Sequence, residues 1–215
     1  KVTILEAMPR LVSNMDKKIS QYLNFIMKKR GIEIHTAAAV QSIEQDEDGY
    51  LCHYTEKEKE QQAKGAYVLC AVGRCANTDG LLGEDMTLEL AGGRVVVDEH
   101  FATSMPHVYA IGDLIGGAQI PGCVYTDPEI ASAGLTEDEA KEKGIEVETG
   151  KFIMSANGRS IITKEERGFI KVVADKESHV ILGAQMMCAR ATDMIGEFVT
   201  AITNQMTVSQ LLKGM

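Results

Sequence analysis

The chain has 215 residues, a mass of 23.4 kDa and a formal net charge of −9, and 45% of its residues are hydrophobic. This composition is typical of a globular protein of one or two domains and excludes the disordered and collagen-like classes. The negative charge repels phosphate backbones and anionic lipid headgroups, so we expect neither a nucleic-acid partner nor a membrane partner.

The cysteines and the apolar segments indicate a cellular compartment. No apolar run approaches the ~18 residues that a membrane span needs, and no secretory leader precedes the first strand. An odd number of cysteines at irregular spacing argues against a disulfide framework and favours a cytoplasmic protein. The expected free thiols are Cys52, Cys70, Cys75, Cys123 and Cys188.

The first segment predicts a strand, a helix and a second strand. The apolar run from Val2 to Leu5 predicts a buried strand that ends on Glu6. Asp16 is a suitable N-cap for the following amphipathic helix, which Gly31 ends. Ile32 to His35 predicts the next strand, and a β-meander is expected to follow.

The predicted meander is built from short apolar runs separated by polar turns. The acidic stretch Asp46 to Gly49 and the polar run Glu56 to Gln62 are interpreted as exposed turns. Its strands are predicted at 40–43, 50–54 and 67–72. The last of these leads into Gly73 and Arg74, where a glycine permits close backbone approach by a ligand and the arginine can pair with it. An ordinary exit from a strand explains the same residues equally well.

A second acidic residue follows a predicted strand in the middle of the chain. Gly92-Gly93 predicts a hairpin, and the apolar run Val108 to Ile111 predicts a strand that ends at Gly112 and Asp113. A carboxylate beside a glycine at such an end can accept hydrogen bonds from a polyol.

The last third predicts an antiparallel sheet with helices on one side. Thr136 and Glu139 have the spacing of a capping box for a short helix that Gly144 ends. Strands are predicted at 147–154, 169–173 and 180–187, and a helix at 192–204. The five histidines lack acidic or cysteine partners at ligand spacing, so no metal site is expected.

Glu6 has a functional and a simpler explanation. An acid at the end of the second strand of a dinucleotide-binding βαβ unit accepts hydrogen bonds from the adenosine ribose and repels a 2′-phosphate, which favours NAD over NADP. A solvated carboxylate is the simpler alternative, because the glycine fingerprint that should precede this strand is not part of the chain.

Four segments together resemble the flavoprotein disulfide reductases that bind two dinucleotides: 1–7, 71–78, 103–113 and 124–134. Within that family the chain is most similar to the dihydrolipoamide dehydrogenases, through Val124–Thr136, Ala156–Arg159 and Gly168–Lys171. The resemblance covers nearly the whole chain. It implies an enzyme that oxidises dihydrolipoyl groups and passes the electrons through a cysteine pair and FAD to NAD.

The resemblance also implies roles for individual residues. Glu6 corresponds to the NAD ribose acceptor, Gly73 and Arg74 lie where the nicotinamide approaches, and Gly112 and Asp113 lie at the FAD ribityl chain. The implied domains are a partial Rossmann-like NAD-binding domain with its meander (1–80), a remnant of an FAD-binding domain (81–119) and a truncated interface domain (120–215). The interface domain implies a homodimer, and the complete enzyme serves a lipoyl-bearing acyltransferase complex.

Several parts of the family pattern are missing from the chain. Both glycine fingerprints and the redox cysteine pair would precede Lys1, and the His-Glu dyad would follow Met215. The family's helix beside the flavin would lie after Asp113, where this chain passes through Gly116–Gln119 almost directly to Pro121. Cys70 and Cys75 have the spacing of the redox pair, but a strand end and a turn replace the helix N-terminus that activates a thiol.

No catalytic residue is therefore predicted in this chain, and we expect the isolated chain to be inactive and to bind NAD weakly or not at all. Two alternatives remain open. One is a non-catalytic dimerisation fragment, and the other is a flavoprotein disulfide reductase that acts on glutathione, mercuric ion or another disulfide.

Overall fold

The computed structural model describes residues 1–73, 75–83, 86–115 and 121–214. The chain forms two compact units. The first combines Lys1–Val68 with Pro121–Met215, and the second is Leu69–Ile120. This division by compactness differs from the three predicted domains, which stay a prediction.

Along the chain, the second unit separates the two segments of the first. The first unit begins with β1 (Thr3–Glu6), α1 (Lys17–Lys29), β2 (Glu33–Thr36), β3 (Ala38–Asp46), β4 (Gly49–Glu56) and β5 (Lys59–Gly65). The second unit contains β6 (Leu90–Ala91), β7 (Arg94–Val95) and a 3-10 helix (Gly112–Leu114). The first unit continues with β8 (Gly122–Val124), β9 (Glu129–Gly134), α2 (Glu137–Glu142), β10 (Val147–Ile153), a 3-10 helix (Met154–Ala156), α3 (Gly158–Ile162), β11 (Phe169–Asp175), β12 (Ile181–Cys188), α4 (Ala191–Thr203), α5 (Val208–Leu211) and a 3-10 helix (Leu212–Gly214).

The predicted strand–helix–strand unit is confirmed. β1 and β2 pair in parallel, with Glu6 opposite Thr36 at their carboxyl ends. The carboxylate of Asp16 accepts a 2.7 Å hydrogen bond from the backbone N–H of Lys18, which satisfies one of the free donors at the start of α1. Gly31 follows the helix with φ +79°, a conformation that costs a glycine little.

The meander is confirmed, but its third strand lies elsewhere than predicted. β3, β4 and β5 form an antiparallel sheet, and β5 occupies residues 59–65, most of which belong to the polar run predicted to be an exposed turn. Lys57 and Glu58, both at positive φ, form the tight hairpin between β4 and β5. β5 is almost entirely polar and exposed, so no hydrophobic alternation reveals it.

Two other predicted strands are not formed. Residues 67–72 and 108–111 are not in strands, and the second segment has a single bridge between Tyr109 and Ala102. Tyr67, Leu69 and Val72 each have about nine-tenths of their surface exposed. A buried strand needs hydrogen-bonded neighbours on both sides. Among the described residues, 108–111 pairs on one side only, with 101–103, and 67–72 pairs with no strand.

The last third forms the predicted antiparallel sheet, in the order β10-β11-β12-β9-β8. The capping box is present, with the Thr136 side chain accepting from the N–H of Glu139 and the Glu139 carboxylate accepting from the N–H of Thr136. β8, β9 and the short helix α3 were not predicted. The α/β and α+β fold class is confirmed, with the parallel pair, the meander and this sheet as its parts.

Alternate residues of the five-stranded sheet face two different helices. One face packs under α1 and the loop before it, in a core of Leu11, Met15, Ile19, Leu23, Ile26, Ile130, Phe169 and Met187. The other face packs under α4, in a core of Ala131, Ala133, Met154, Ala184, Met186, Cys188, Ala191 and Ile195. The sheet therefore packs against the N-terminal strand–helix–strand unit on one face and against α4 on the other.

The second unit has a small core. Val95, Ala110 and Ile115 are its buried hydrophobic residues. Arg94 holds the chain around the 3-10 helix, because its guanidinium donates to the backbone carbonyls of Asp113 and Ile115 at 3.2 and 3.1 Å.

Candidate functional site

Glu6 lies at the carboxyl end of β1, half-buried, beside the end of the parallel partner strand. One of its carboxylate oxygens, Oε1, accepts a 2.8 Å hydrogen bond from the backbone N–H of Met8. That bond fixes the direction of the carboxylate at the edge of the sheet where dinucleotides bind in parallel α/β folds. A carboxylate held in this way can accept hydrogen bonds from the two hydroxyls of a ribose.

Gly73 is exposed and has a φ of +134°, a conformation that side chains other than glycine rarely adopt. Apart from its chain neighbours, no described residue has an atom within 4 Å of the place where its Cβ would be, so a ligand can approach the backbone closely. Arg74, the second residue predicted at this turn, lies outside the described residues.

Gly112 and Asp113 open the 3-10 helix of the second unit. Gly112 has a φ of +73°, and apart from its chain neighbours no described residue comes within 4 Å of its missing side chain. Asp113 is exposed. The two residues thus combine an acidic side chain with a backbone that leaves room for a ligand. The predicted internal gap falls at Gly116–Ile120, which lies outside the described residues.

The predicted site residues divide between the two units. Glu6 belongs to the first, and Gly73, Gly112 and Asp113 belong to the second. Their assignment to cofactors stays a prediction.

A buried charged cluster was not predicted. The Nζ of Lys171 donates to Asp16 at 2.9 Å and to Glu137 at 2.8 Å, and Asp16 and Lys171 are both almost completely buried. Asp16 belongs to the segment before α1, whereas Lys171 belongs to β11, so the cluster ties the strand–helix–strand unit to the sheet. In the sequence, the one sign of this cluster is a lysine at a strand position that faces inward.

The charges of this cluster shift the ionisation of its members. Hydrogen bonds from Lys141 and Lys171 lower the pKa of Glu137 to about 2. Burial alone would lower the pKa of Lys171, but its hydrogen bonds to Glu137 and Asp16 outweigh burial and raise it. Within this group of Asp16, Glu137 and Lys171, which we call the Lys171 cluster, Glu137 and Lys171 are therefore charged at neutral pH.

Two of the thiols are poor candidates for redox chemistry. Burial, with a smaller contribution from Glu129, raises the pKa of Cys188 to about 11 and also raises the pKa of Cys123. Both remain protonated at neutral pH, whereas a redox cysteine reacts as a thiolate. Cys70 and Cys75 are exposed free thiols outside any helix.

Within the described ranges, no group of three His, Cys, Asp or Glu side chains is placed to hold a metal ion. The longest helices among the described residues, α1 and α4, have 13 residues each. No helix formed by the described residues is long and apolar enough to cross a membrane.

Comparison with known proteins gives close sequence relatives. The chain is 34% identical to the dihydrolipoyl dehydrogenase of Geobacillus stearothermophilus and to one from Bacillus subtilis, over 239 aligned residues in each case. These alignments cover 98% of this chain, which spans about half (51%) of the length of either relative. Because 239 exceeds the 215 residues of the chain, the relatives contain residues inside the aligned region that this chain lacks.

Solved structures share the fold over 97% of the chain and about half of their own length. LpdA from Mycobacterium tuberculosis has a TM-score of 0.82 at 21% identity and is covered over 51% of its length. The HOCl-induced flavoprotein disulfide reductase RclA from Escherichia coli has a TM-score of 0.78 at 22% identity and is covered over 54%.

Two family descriptions match the chain in succession. Residues 1–134 match "pyridine nucleotide-disulphide oxidoreductase", and residues 120–215 match the dimerisation domain of the same family. The first match alone covers more than half of the chain. With its strand–helix–strand unit followed by an antiparallel sheet, the chain belongs to the pyridine nucleotide-disulphide oxidoreductase family.

Proposed function

We propose that this chain is part of a dihydrolipoyl dehydrogenase, to which it contributes cofactor-binding residues and a dimerisation surface. The 34% identity to dihydrolipoyl dehydrogenases over nearly the whole chain carries this proposal. The complete enzyme oxidises a dihydrolipoyl dithiol to the disulfide, and its two electrons reduce NAD. FAD, when bound, supplies the two-electron transfer between the thiols and NAD.

Glu6 binds the adenosine ribose of NAD. Its hydrogen bond from Met8 leaves Oε2 to accept from the ribose hydroxyls, and its negative charge repels the 2′-phosphate of NADP. The exposed turn at Gly73 admits the nicotinamide end, and we assign Arg74 to the same contact.

Gly112 and Asp113 bind FAD. The carboxylate of Asp113 accepts hydrogen bonds from the ribityl hydroxyls, and the open space at Gly112 accommodates the chain of the flavin. These residues position cofactors and exchange no electrons or protons themselves.

The experiment follows the backbone amide of Met8 by NMR while the chain is titrated with NAD or NADP. This N–H donates directly to Glu6, so its chemical shift reports a ribose at the carboxylate. We expect a saturable shift with NAD at millimolar concentration and none with NADP.

The variants distinguish Glu6 from a general effect of acidic charge. Glu6→Gln is expected to weaken NAD about tenfold or more, as for a lost charged hydrogen bond. Glu33→Gln is the matched control, because Glu33 lies at the opposite end of the same strand pair and bonds to Lys1. Equal loss in both variants, or an equal response to NADP, would contradict the NAD assignment.

A homodimer is the second part of the proposal, and the match of residues 120–215 to the family's dimerisation domain favours it. If the cofactor residues prove inactive, this surface is what the chain retains, and a non-catalytic dimerisation fragment becomes the better description.

We also propose a substrate, a partner and a cellular compartment for the enzyme. We assign dihydrolipoyl groups in preference to glutathione or mercuric ion, and a lipoyl-bearing acyltransferase complex as partner, because the curated relatives named above are dihydrolipoyl dehydrogenases. All five cysteines are free thiols, as a reducing compartment favours, and we propose the cytoplasm.

A further inference from the structure

A cleft lies between α1 and the edge of the five-stranded sheet formed by β10 and β11. Its volume is about 330 Å³, which lies in the range of small-molecule sites. Glu6 does not line it. The lining residues are Lys18, Gln21, Tyr22 and Phe25 from α1, Lys151 from β10 and Phe169 from β11.

The helical wall of the cleft belongs to a stripe along α1 that continues beyond the cleft to Lys29. Lys18, Tyr22, Phe25 and Lys29 follow one another at intervals of four, three and four residues, so their side chains lie on the same side of α1. This side is distinct from the one that packs into the core, and all four residues are exposed.

Aromatic rings occupy the middle of the stripe. The centroids of Tyr22 and Phe25 are 6.4 Å apart and their planes are tilted by 44°. Tyr22 is 40% exposed and Phe25 is 52% exposed, so two adjacent rings offer apolar surface to solvent. A planar ring placed on them would bury that surface and stack.

Two lysines lie against aromatic rings, Lys29 against the exposed Phe25 and Lys151 against the buried Phe169. The Nζ of Lys151 lies 4.2 Å from the centroid of the Phe169 ring, and the Nζ of Lys29 lies 4.5 Å from that of Phe25. Among the described residues, no carboxylate lines the cleft or pairs with Lys18, Lys29 or Lys151. The lysines that form ion pairs with described residues are Lys1, Lys64, Lys141, Lys171 and Lys176.

This arrangement is unusual for the composition of the chain. The net charge is −9, so three lysines that form no ion pair among the described residues are a local reversal of sign. Cations beside exposed aromatic rings favour a ligand that combines a planar ring with an anionic group.

The spacing of the stripe limits the ligand further. Lys18 and Tyr22 are four residues apart, which corresponds to a rise of about 6 Å along the helix. The ring and the anionic group of the ligand must be separated by a spacer of similar length. A nucleoside monophosphate has this form, with a base, a sugar spacer and a phosphate.

We propose that this cleft binds a nucleoside monophosphate group, with the base on Tyr22 and Phe25 and the phosphate between Lys18 and Lys151. The same chemistry is available from a free nucleotide and from one half of a dinucleotide. The site is separate from the Glu6 site and does not depend on the proposed function.

The test is an NMR titration of the chain with AMP, read from the backbone amides of Lys18, Tyr22 and Lys151. We expect a saturable shift with a Kd on the order of 1 mM, and at least about tenfold weaker binding of adenosine or inorganic phosphate alone. A similar shift with NAD supports a dinucleotide as the source of the group, and a shift with AMP alone supports a free nucleotide.

Variants separate the cleft from general charge effects. Lys151→Gln and Tyr22→Ala are each expected to weaken AMP about tenfold. Both residues are exposed, so neither change threatens the fold. Lys17→Gln is the matched control, because Lys17 is an exposed lysine on the same helix outside the cleft, and it is expected to leave the Kd unchanged.

Three results would overturn the proposal. The first is the absence of any shift of the cleft amides up to about 10 mM AMP, a concentration well above the expected Kd. The second is an equal loss of affinity in Lys17→Gln. The third is a response that Glu6→Gln removes, since that would place the nucleotide at the strand end instead.

Discussion

At the scale of single residues, the Lys171 cluster joins the segment before α1 to β11 through charged hydrogen bonds. Lys171 bonds to two carboxylates, of which Asp16 is almost completely buried and Glu137 is about one-third exposed. Removing one member of a buried ion pair leaves its partner unpaired in a region of low polarity, which costs more than the pair itself is worth.

We predict that Lys171→Met lowers the free energy of unfolding by about 3 kcal/mol, measured by urea denaturation at pH 7. Lys141→Met is the matched control, because Lys141 also bonds to Glu137 at 2.7 Å but is largely exposed. We expect its cost to stay below about 1 kcal/mol. Similar costs for the two variants would show that burial of the Lys171 cluster contributes nothing.

At the scale of elements, the sequence predicts those features that depend on hydrogen bonds between residues close together in the chain, such as helix caps. The N-cap at Asp16 and the capping box at Thr136 are short-range hydrogen-bonding patterns, and both are confirmed. β5 and the segment 67–72 show the opposite case. A polar strand forms because a tight hairpin pairs it with β4, whereas an apolar run stays outside any sheet because it has no neighbouring strand.

For the candidate sites, too, the sequence predicts the local features and misses the long-range ones. The position of Glu6 at a strand end follows from the apolar run before it, and the structure places it there. The Lys171 cluster and the cleft on α1 combine residues more than a hundred positions apart, and a periodic pattern in one segment contains no information on such pairs.

Close packing between β12 and the end of β9 depends on Gly183. A Cβ at this position would lie 1.9 Å from the carbonyl oxygen of Leu135, and this neighbour is backbone that cannot rotate away. The same sheet contains Gly150 on the edge strand β10, where a Cβ would meet nothing within 4 Å. The two glycines lie in the same sheet, but only at Gly183 is there no room for a side chain.

We predict that Gly183→Ala lowers the free energy of unfolding by at least about 2 kcal/mol, because the strands must separate to admit the methyl group. Gly150→Ala is expected to change it by less than about 1 kcal/mol. Thermal unfolding followed by circular dichroism measures both. If Gly183→Ala unfolds at the same temperature as Gly150→Ala, the close approach of the strands is not a constraint.

At the scale of the whole molecule, exposed apolar side chains in the dimerisation region favour self-association. Phe152, Ile153, Ile161 and Ile162 are about half exposed or more, and all four lie at the end of β10 or on α3. Burial of such side chains is the usual driving force of a two-fold interface. An association that buries them stabilises the folded chain as the protein concentration rises.

We predict that the chain sediments as a dimer, with about twice the 23.4 kDa of one copy, at micromolar concentration. The midpoint of thermal unfolding should also rise with protein concentration, because dimerisation stabilises only the folded state. The two measurements are independent, and an aggregate would not give a single sedimenting species. A monomer with a concentration-independent midpoint would show that residues 120–215 match the dimerisation domain of the family without associating as this chain.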